Sequence, residues 1–310
     1  MTLYLVTHRT LYSYGARVSD GYSLAVLVPR STPNQTVLAS GVVVEPSPDE
    51  RDERVDQFGN SIVQFGLHHP HDHLEVVATS RVEVHLVDDP APDTDWADVV
   101  ATAGGLHGDD ALDVRPFRSL SSFMTNGVDP GALGALARPY FAAGVGVIDG
   151  VRRLAHHIFN EFEFDPSFSQ VATPLGDVLS ARRGVCQDFA HLMVGALRSV
   201  GLPARYVSGY IETIPPPGKE RLVGADASHA WFAVHHPEAG WMEYDPTNNM
   251  QPGEQHITVG YGRDFGDISP VKGIMIGSGS HEIEVEVDVV PLELSSNNES
   301  SANSRRLLWK

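Results

Sequence analysis

Residues 182–191 read Arg182-Arg183-Gly184-Val185-Cys186-Gln187-Asp188-Phe189-Ala190-His191. Gly184 breaks the segment before it. From Cys186 onward the apolar residues Phe189, Leu192, Met193, Ala196, Leu197 and Val200 recur at helical spacing. Gly201 and Pro203 stop the helix. Cys186, the only cysteine of the chain, therefore opens a helix. A thiol in a first turn faces unpaired backbone N–H groups and the positive end of the helix dipole. Such surroundings favour the thiolate, which is the reactive form. A lone cysteine is more commonly a small core hydrophobe, so a nucleophile also needs a base, and the base something to orient it.

Both are offered by residues 228–247, Ser-His-Ala-Trp-Phe-Ala-Val-His-His-Pro-Glu-Ala-Gly-Trp-Met-Glu-Tyr-Asp-Pro-Thr. Ala230 to Val234 is aromatic and β-branched, His236 to Gly240 is turn material, and Trp241 to Tyr244 is a second strand. His229 and Asp245 are equidistant from Pro237 in the turn, so a hairpin sets them opposite each other or within one register step. Side chains directly opposed on one face have Cβ atoms roughly 5 Å apart. A carboxylate at that distance holds an imidazole in one tautomer, and the other ring nitrogen can take a thiol proton. The spacing alone does not bring Cys186 to His229; partners of such nucleophiles meet only in the fold.

Four blocks then carry a resemblance. They are Gly184-Val185-Cys186-Gln187-Asp188-Phe189-Ala190-His191, Gly201-Leu202-Pro203-Ala204-Arg205-Tyr206-Val207-Ser208-Gly209-Tyr210, Ser228-His229-Ala230-Trp231 and Asp245-Pro246-Thr247-Asn248. In wording, order and spacing the chain resembles the bacterial transglutaminase-like family. Gly262-Arg263-Asp264-Phe265 is similar to the family's Gly-Arg-Asp-Tyr segment, with phenylalanine in place of tyrosine. Thr7-His8-Arg9-Thr10-Leu11-Tyr12-Ser13-Tyr14 and Asp56-Gln57-Phe58-Gly59-Asn60 resemble the β-rich domain that precedes the core in one branch. The resemblance implies an α+β chain, with an N-terminal β-sandwich followed by a papain-like, transglutaminase-like core. It also implies acyl transfer on carboxamide or peptide bonds through a thioester on Cys186, with His229 as base and Asp245 orienting it. A cysteine protease or amidase of the same fold is the alternative. A non-catalytic protein-binding module is the reading from another class.

Composition narrows the rest. One cysteine allows no internal disulfide, which fits a reducing cytoplasm, and no zinc site built on paired cysteines. No run of 18 apolar residues is present to make a membrane helix, and the start lacks the pattern of a signal peptide. The expectation is a cytoplasmic protein. A net charge of −18 repels nucleic acid and anionic membranes. The partner the resemblance implies is a protein or peptide substrate, and no cofactor and no metal are expected. His68-His69-Pro70-His71-Asp72-His73 offers imidazoles, but a proline-bearing turn does not aim them at one point.

Along the chain, short alternating runs at Leu3–Thr7, Ser23–Val28, Thr36–Glu45, Ser61–Leu67 and Leu74–Val87 predict a β-sandwich over 1–87. Residues 88–129 read as a linker, 130–294 as the catalytic domain and 295–310 as a disordered tail. Glu282–Val290 alternates acids with valine or isoleucine and predicts an edge strand with one wet face. Trp231, two residues from His229 on the same strand face, is the expected wall of the acyl pocket. The Cys186 backbone N–H is the expected oxyanion donor, with Gln187 as a second candidate.

Overall fold

Alternation of buried and exposed side chains builds the N-terminal half. In the computed structural model, which describes residues 1–86, 91–213, 226–277 and 279–292, six strands follow one another. They are β1 (Thr2–Val18), β2 (Asp20–Ala25), β3 (Gln35–Glu45), β4 (Glu50–Val55), β5 (Ser61–Leu67) and β6 (His71–Val84). On β6 every second side chain from Leu74 to Val84 is buried, as one covered face of a pleated strand requires. β1, β6 and β3 are neighbours in one antiparallel sheet, and β2, β5 and β4 in another. The sheets meet over Ala25, Val42, Val44, Val63, Phe65 and Val76, forming a sandwich. β4 had no sequence signal because all six of its residues are exposed.

The stretch read as a linker contains helices α1 (Trp96–Gly105), α2 (Gly108–Val114) and α3 (Ser122–Thr125). α1 buries only Val99 and Ala103, too little to leave an apolar period. Two acidic residues of this stretch serve as caps. Asp95 accepts the Ala97 N–H at 2.8 Å at the start of α1. Asp93 reaches 55 positions on, to the N–H of Ile148 (2.7 Å), at the start of α5 (Val147–Glu161), which follows α4 (Pro130–Ala137).

Beyond β7 (Glu163–Phe164), α6 (Leu175–Ala181) and β8 (Arg183–Gly184) lies the central helix, α7 (Cys186–Ser199). It is buried continuously from Asp188 to Arg198, as a helix inside a core must be. It packs on α4 and on an antiparallel sheet formed by β9 (Ala204–Ile211), β10 (Ala227–His236), β11 (Gly240–Tyr244) and β12 (His256–Gly262), in the order β11-β10-β9-β12. Arg198 closes the far end of α7. Its guanidinium donates to the carbonyls of Ala204 (2.8 Å), Ser119 (2.9 Å) and Arg263 (2.9 Å), so the buried charge is hydrogen-bonded on several sides.

The last strands turn back. β13 (Val271–Ile276) pairs with β2, and β14 (His281–Leu292) pairs with β1 from Leu3 to Tyr14. Residues 271–292, read from sequence with the catalytic unit, thus complete the sandwich and cover strand edges that would otherwise present unpaired backbone. β14 is an edge strand, as its alternation predicts. The tail 295–310 lies outside the described residues.

Two side-chain amides join the halves. Gln35 Nε2 donates to the Thr258 carbonyl (2.7 Å), and its Oε1 accepts the Thr258 N–H (2.9 Å). Asn60 does the same at Tyr261, at 2.7 and 2.8 Å. Both imitate a neighbouring strand along the free edge of β12. The Asp56–Asn60 motif acquires a physical meaning here. Asp56 accepts the N–H groups of Phe58 and Asn60 and the Asn60 amide, which fixes the turn that presents Asn60. Gly260 lies against it; a Cβ there would stand 2.7 Å from Asn60 Oδ1. Asn60→Ala should therefore leave the Tyr261 amide groups unpaired and lower the unfolding free energy by roughly 1–3 kcal/mol. Denaturant unfolding checks this, and an unchanged midpoint contradicts it.

Candidate active site

The sequence around Cys186 folds so that its thiol stands at the start of α7. Val185 is extended (φ −120°, ψ −179°) and precedes the first helical turn. Asp188, three residues on, reaches back and accepts the Val185 N–H at 2.9 Å, while Ser169 also donates to it. Burial pushes the Asp188 carboxyl up, against the pull of those two hydrogen bonds. Gly184 is required by this close approach, since a Cβ would lie 2.7 Å from Asp188 Oδ2. Helix-start amides have no partner within the helix, so the N–H groups of the first turn remain available beside the thiol. Cys186 itself is half-buried.

The hairpin has its turn centred on Glu238 rather than Pro237, with His235 paired to Trp241 and His236 to Gly240. Asp245 consequently lies just past the end of β11, diagonal to His229. The two meet all the same: His229 Nε2 is 2.7 Å from Asp245 Oδ2, and both side chains are buried. Cys186 stands close enough to His229 for its thiolate to favour the imidazolium. With Nε2 engaged by Asp245, Nδ1 is the nitrogen left for the thiol. Burial disfavours the imidazolium, but the Asp245 and Cys186 partners outweigh it and hold His229 up to about 10. Burial also opposes ionisation of Asp245; hydrogen bonds from His229, His256 and Asn248 prevail and hold it well below the usual carboxylate range.

Asn248 and His256 lie outside the set expected from sequence. Asp245 Oδ1 accepts the N–H groups of Thr247 (2.8 Å) and Asn248 (3.2 Å), an Asx turn built by Asp-Pro-Thr-Asn. Oδ2 receives Asn248 Nδ2 at 2.7 Å and His256 Nε2 at 3.1 Å in addition to His229. Asn248 sits within the motif block, where an amide beside a buried aspartate is a readable signal. His256 lies on another strand and had none.

Trp231 differs from its expected role. It is fully buried and has no surface to line an open acyl pocket. Its indole N–H donates to Glu243 at 2.7 Å, and its ring backs both imidazoles, 6.0 Å from His229 and 5.4 Å from His256 between centroids. Gly209, paired with His229, makes room for it; a Cβ there would lie 2.4 Å from the indole. Gln187 is half-buried next to Cys186, with no side-chain hydrogen-bond partner among the described residues. Phe265 donates its backbone N–H to His191 at 3.1 Å, and its ring packs near Phe123.

His229, Asp245 and His256 are also the one group among the described residues whose ligand atoms converge closely enough for a metal ion. The hydrogen bonds already given account for that convergence. The 68–73 cluster disperses instead: His68 turns to Asp20 (2.6 Å), His69 to Asp49 (2.9 Å) and His73 to Asp72 (2.9 Å). No helix among the described residues is long and apolar enough to cross a membrane.

Comparison with known proteins places this geometry in a class. Residues 4–83 match the bacterial transglutaminase-like N-terminal region, and residues 135–246 match the transglutaminase-like superfamily. An uncharacterized protein of Mycobacterium tuberculosis is 36% identical over 305 residues, covering 94% of this chain and 93% of that one. A protein-glutamine gamma-glutamyltransferase of Pseudomonas aeruginosa is 38% identical over 76 residues, 24% of this chain and 11% of that one. The fold matches a crystal structure from Cytophaga hutchinsonii, described as a candidate cysteine protease, with TM-score 0.71 and 20% identity, covering 97% of this chain and 94% of that one. The chain belongs to the bacterial transglutaminase-like family.

The raised His229 value has a consequence for stability. A group whose folded pKa exceeds its unfolded value of about 6.5 contributes stability that is complete below 6.5 and lost as pH rises through the folded value, here about 10. The stability gap between wild type and His229→Gln should therefore narrow from pH 6.5 to 10. Urea unfolding across that range checks it, and a gap that widens contradicts it.

Proposed function

We propose that the protein catalyses cysteine-dependent acyl transfer on carboxamide or peptide bonds through a thioester on Cys186. The observation that carries this reading is the buried His229–Asp245 pair, 2.7 Å apart, with Cys186 at a helix start close enough to act on the imidazole. Cys186 Sγ, its proton held by His229, attacks the carbonyl carbon. The tetrahedral oxyanion meets the Cys186 backbone N–H at the positive end of α7. The Gln187 amide, free of protein partners among the described residues, is the candidate second donor. On collapse the C–N bond breaks, His229 gives its proton to the departing amine or ammonia, and the acyl group remains on sulfur. Water or an amine then attacks the thioester, with His229 again taking the proton. Asp245 holds the imidazole in the tautomer both steps need.

The acceptor decides between transfer and hydrolysis. Water is present at roughly 55 M, so an amine wins only where acceptor positioning supplies a large effective molarity, up to about 10⁵ M or more. The test supplies a glutamine-type or peptide donor with excess primary amine and follows product masses. An amine adduct rising with amine concentration supports transfer; free acid at every concentration assigns the protein to the hydrolases of this fold. His229→Ala should abolish turnover in a folded protein. Asp245→Asn should lower kcat by roughly 10³–10⁴, because its amide forces the wrong tautomer on His229. Steady-state kinetics on folded variants checks both, and near-wild-type rates for Asp245→Asn would remove Asp245 from the mechanism.

A further inference from the structure

His256 is almost fully buried, with 4% of its surface exposed, so it offers nothing to a substrate. Its two ring nitrogens nevertheless have fixed duties. The Gly253 N–H donates to Nδ1 at 3.2 Å, so in the neutral ring the proton resides on Nε2. Nε2 stands 3.1 Å from Asp245 Oδ2, the oxygen that also receives His229. The other side-chain contacts of Asp245 come from Thr247 and Asn248, within its own turn. They hold the carboxylate relative to the turn but not relative to the sheet. Apart from His229, the group to be oriented, His256 is the donor that ties Asp245 to a different strand among the described residues. β12 is itself fixed, two residues on, by the Gln35 amide at Thr258. A cavity of about 50 Å³ at this seam is lined by Gln35, Gly253, His256 and Thr258, among others.

We propose that His256 is a positioning residue: its Nε2–H on Asp245 Oδ2 sets the carboxylate that orients His229, and the N-terminal sandwich supports that setting by holding β12. The proposal rests on the reading of Cys186, His229 and Asp245 as nucleophile, base and orienting acid. The charged groups that act on the pair are Cys186 and Asp245 at His229, and His229 at Asp245, where His256 and Asn248 add hydrogen bonds. Substitution of His256 leaves the others in place.

The test is the rate of Cys186 alkylation by iodoacetamide at pH 6 and pH 9, in full-length wild type, His256→Leu, His256→Asn and His256→Gln, with folding followed by circular dichroism. Gln keeps a donor at the position of Nε2; Leu has none, and Asn is too short to reach Asp245. Leu and Asn should react about tenfold more slowly than wild type at pH 6, in proportion to the thiolate they lose. They should approach wild type at pH 9. Gln should stay within about threefold of wild type at both pH values. A purely structural role for His256 would lower thermal stability and leave the pH 6 rate of the folded protein unchanged. Equal rates in all four proteins would overturn the proposal, as would a Gln variant as slow as Leu and Asn. If His256→Leu does not fold, the Asn and Gln pair carries the same comparison. A wild-type protein no faster at pH 6 than N-acetylcysteine would instead overturn the nucleophile–base reading beneath it.

Discussion

The site is organised around one buried carboxylate. Taking an isolated carboxylate out of water costs several kcal/mol even after relaxation, and Asp245 is fully buried. Five donors offset that cost: the N–H groups of Thr247 and Asn248, the Asn248 amide and the imidazoles of His229 and His256. Each donor fixes a piece of chain. The two backbone donors make Asp-Pro-Thr-Asn a tight turn, His229 registers β10, and His256 registers β12. Removing the carboxylate would leave two buried imidazoles and the N–H groups of the turn without their acceptor, so the carboxylate is a folding constraint as well as a chemical one.

Around it the two halves divide the work. α7 is immobilised by burial along its length and by Arg198 at its far end, so the position of Cys186 is set by packing remote from the thiol. The sheet supplies the imidazole. Among the described residues the sandwich contributes no side chain to the Cys186–His229–Asp245 group, yet Gln35 and Asn60 occupy the edge of β12 as a further strand would. That arrangement makes the N-terminal region a support for the catalytic sheet. It also explains why Asp56–Asn60 stood out as a motif in a segment with no chemistry of its own.

What was legible in the sequence was local. The start of α7 could be read because Gly184, the single cysteine and a 3.6-residue apolar period agree. His229 and Asp245 could be paired because a hairpin has a register, although the turn is centred one residue later than the symmetry about Pro237 suggests. Long-range pairing was not legible. Nothing local announces that Asp93 caps a helix 55 positions on, that β13 and β14 return to the first two strands, or that His256 meets Asp245 from another strand. Trp231 shows a related limit: spacing along a strand gives its face, but not whether the sheet's other elements bury that face. Here Gly209 and His256 close over it.

The most direct test of the central claim is intact-protein mass spectrometry of acid-quenched protein incubated with candidate amide or peptide donors, followed by peptide mapping. The account predicts a covalent acyl adduct located on Cys186, labile to hydroxylamine as a thioester is, and absent from Cys186→Ser. An adduct on another residue, or product formation that persists in Cys186→Ser, would contradict it.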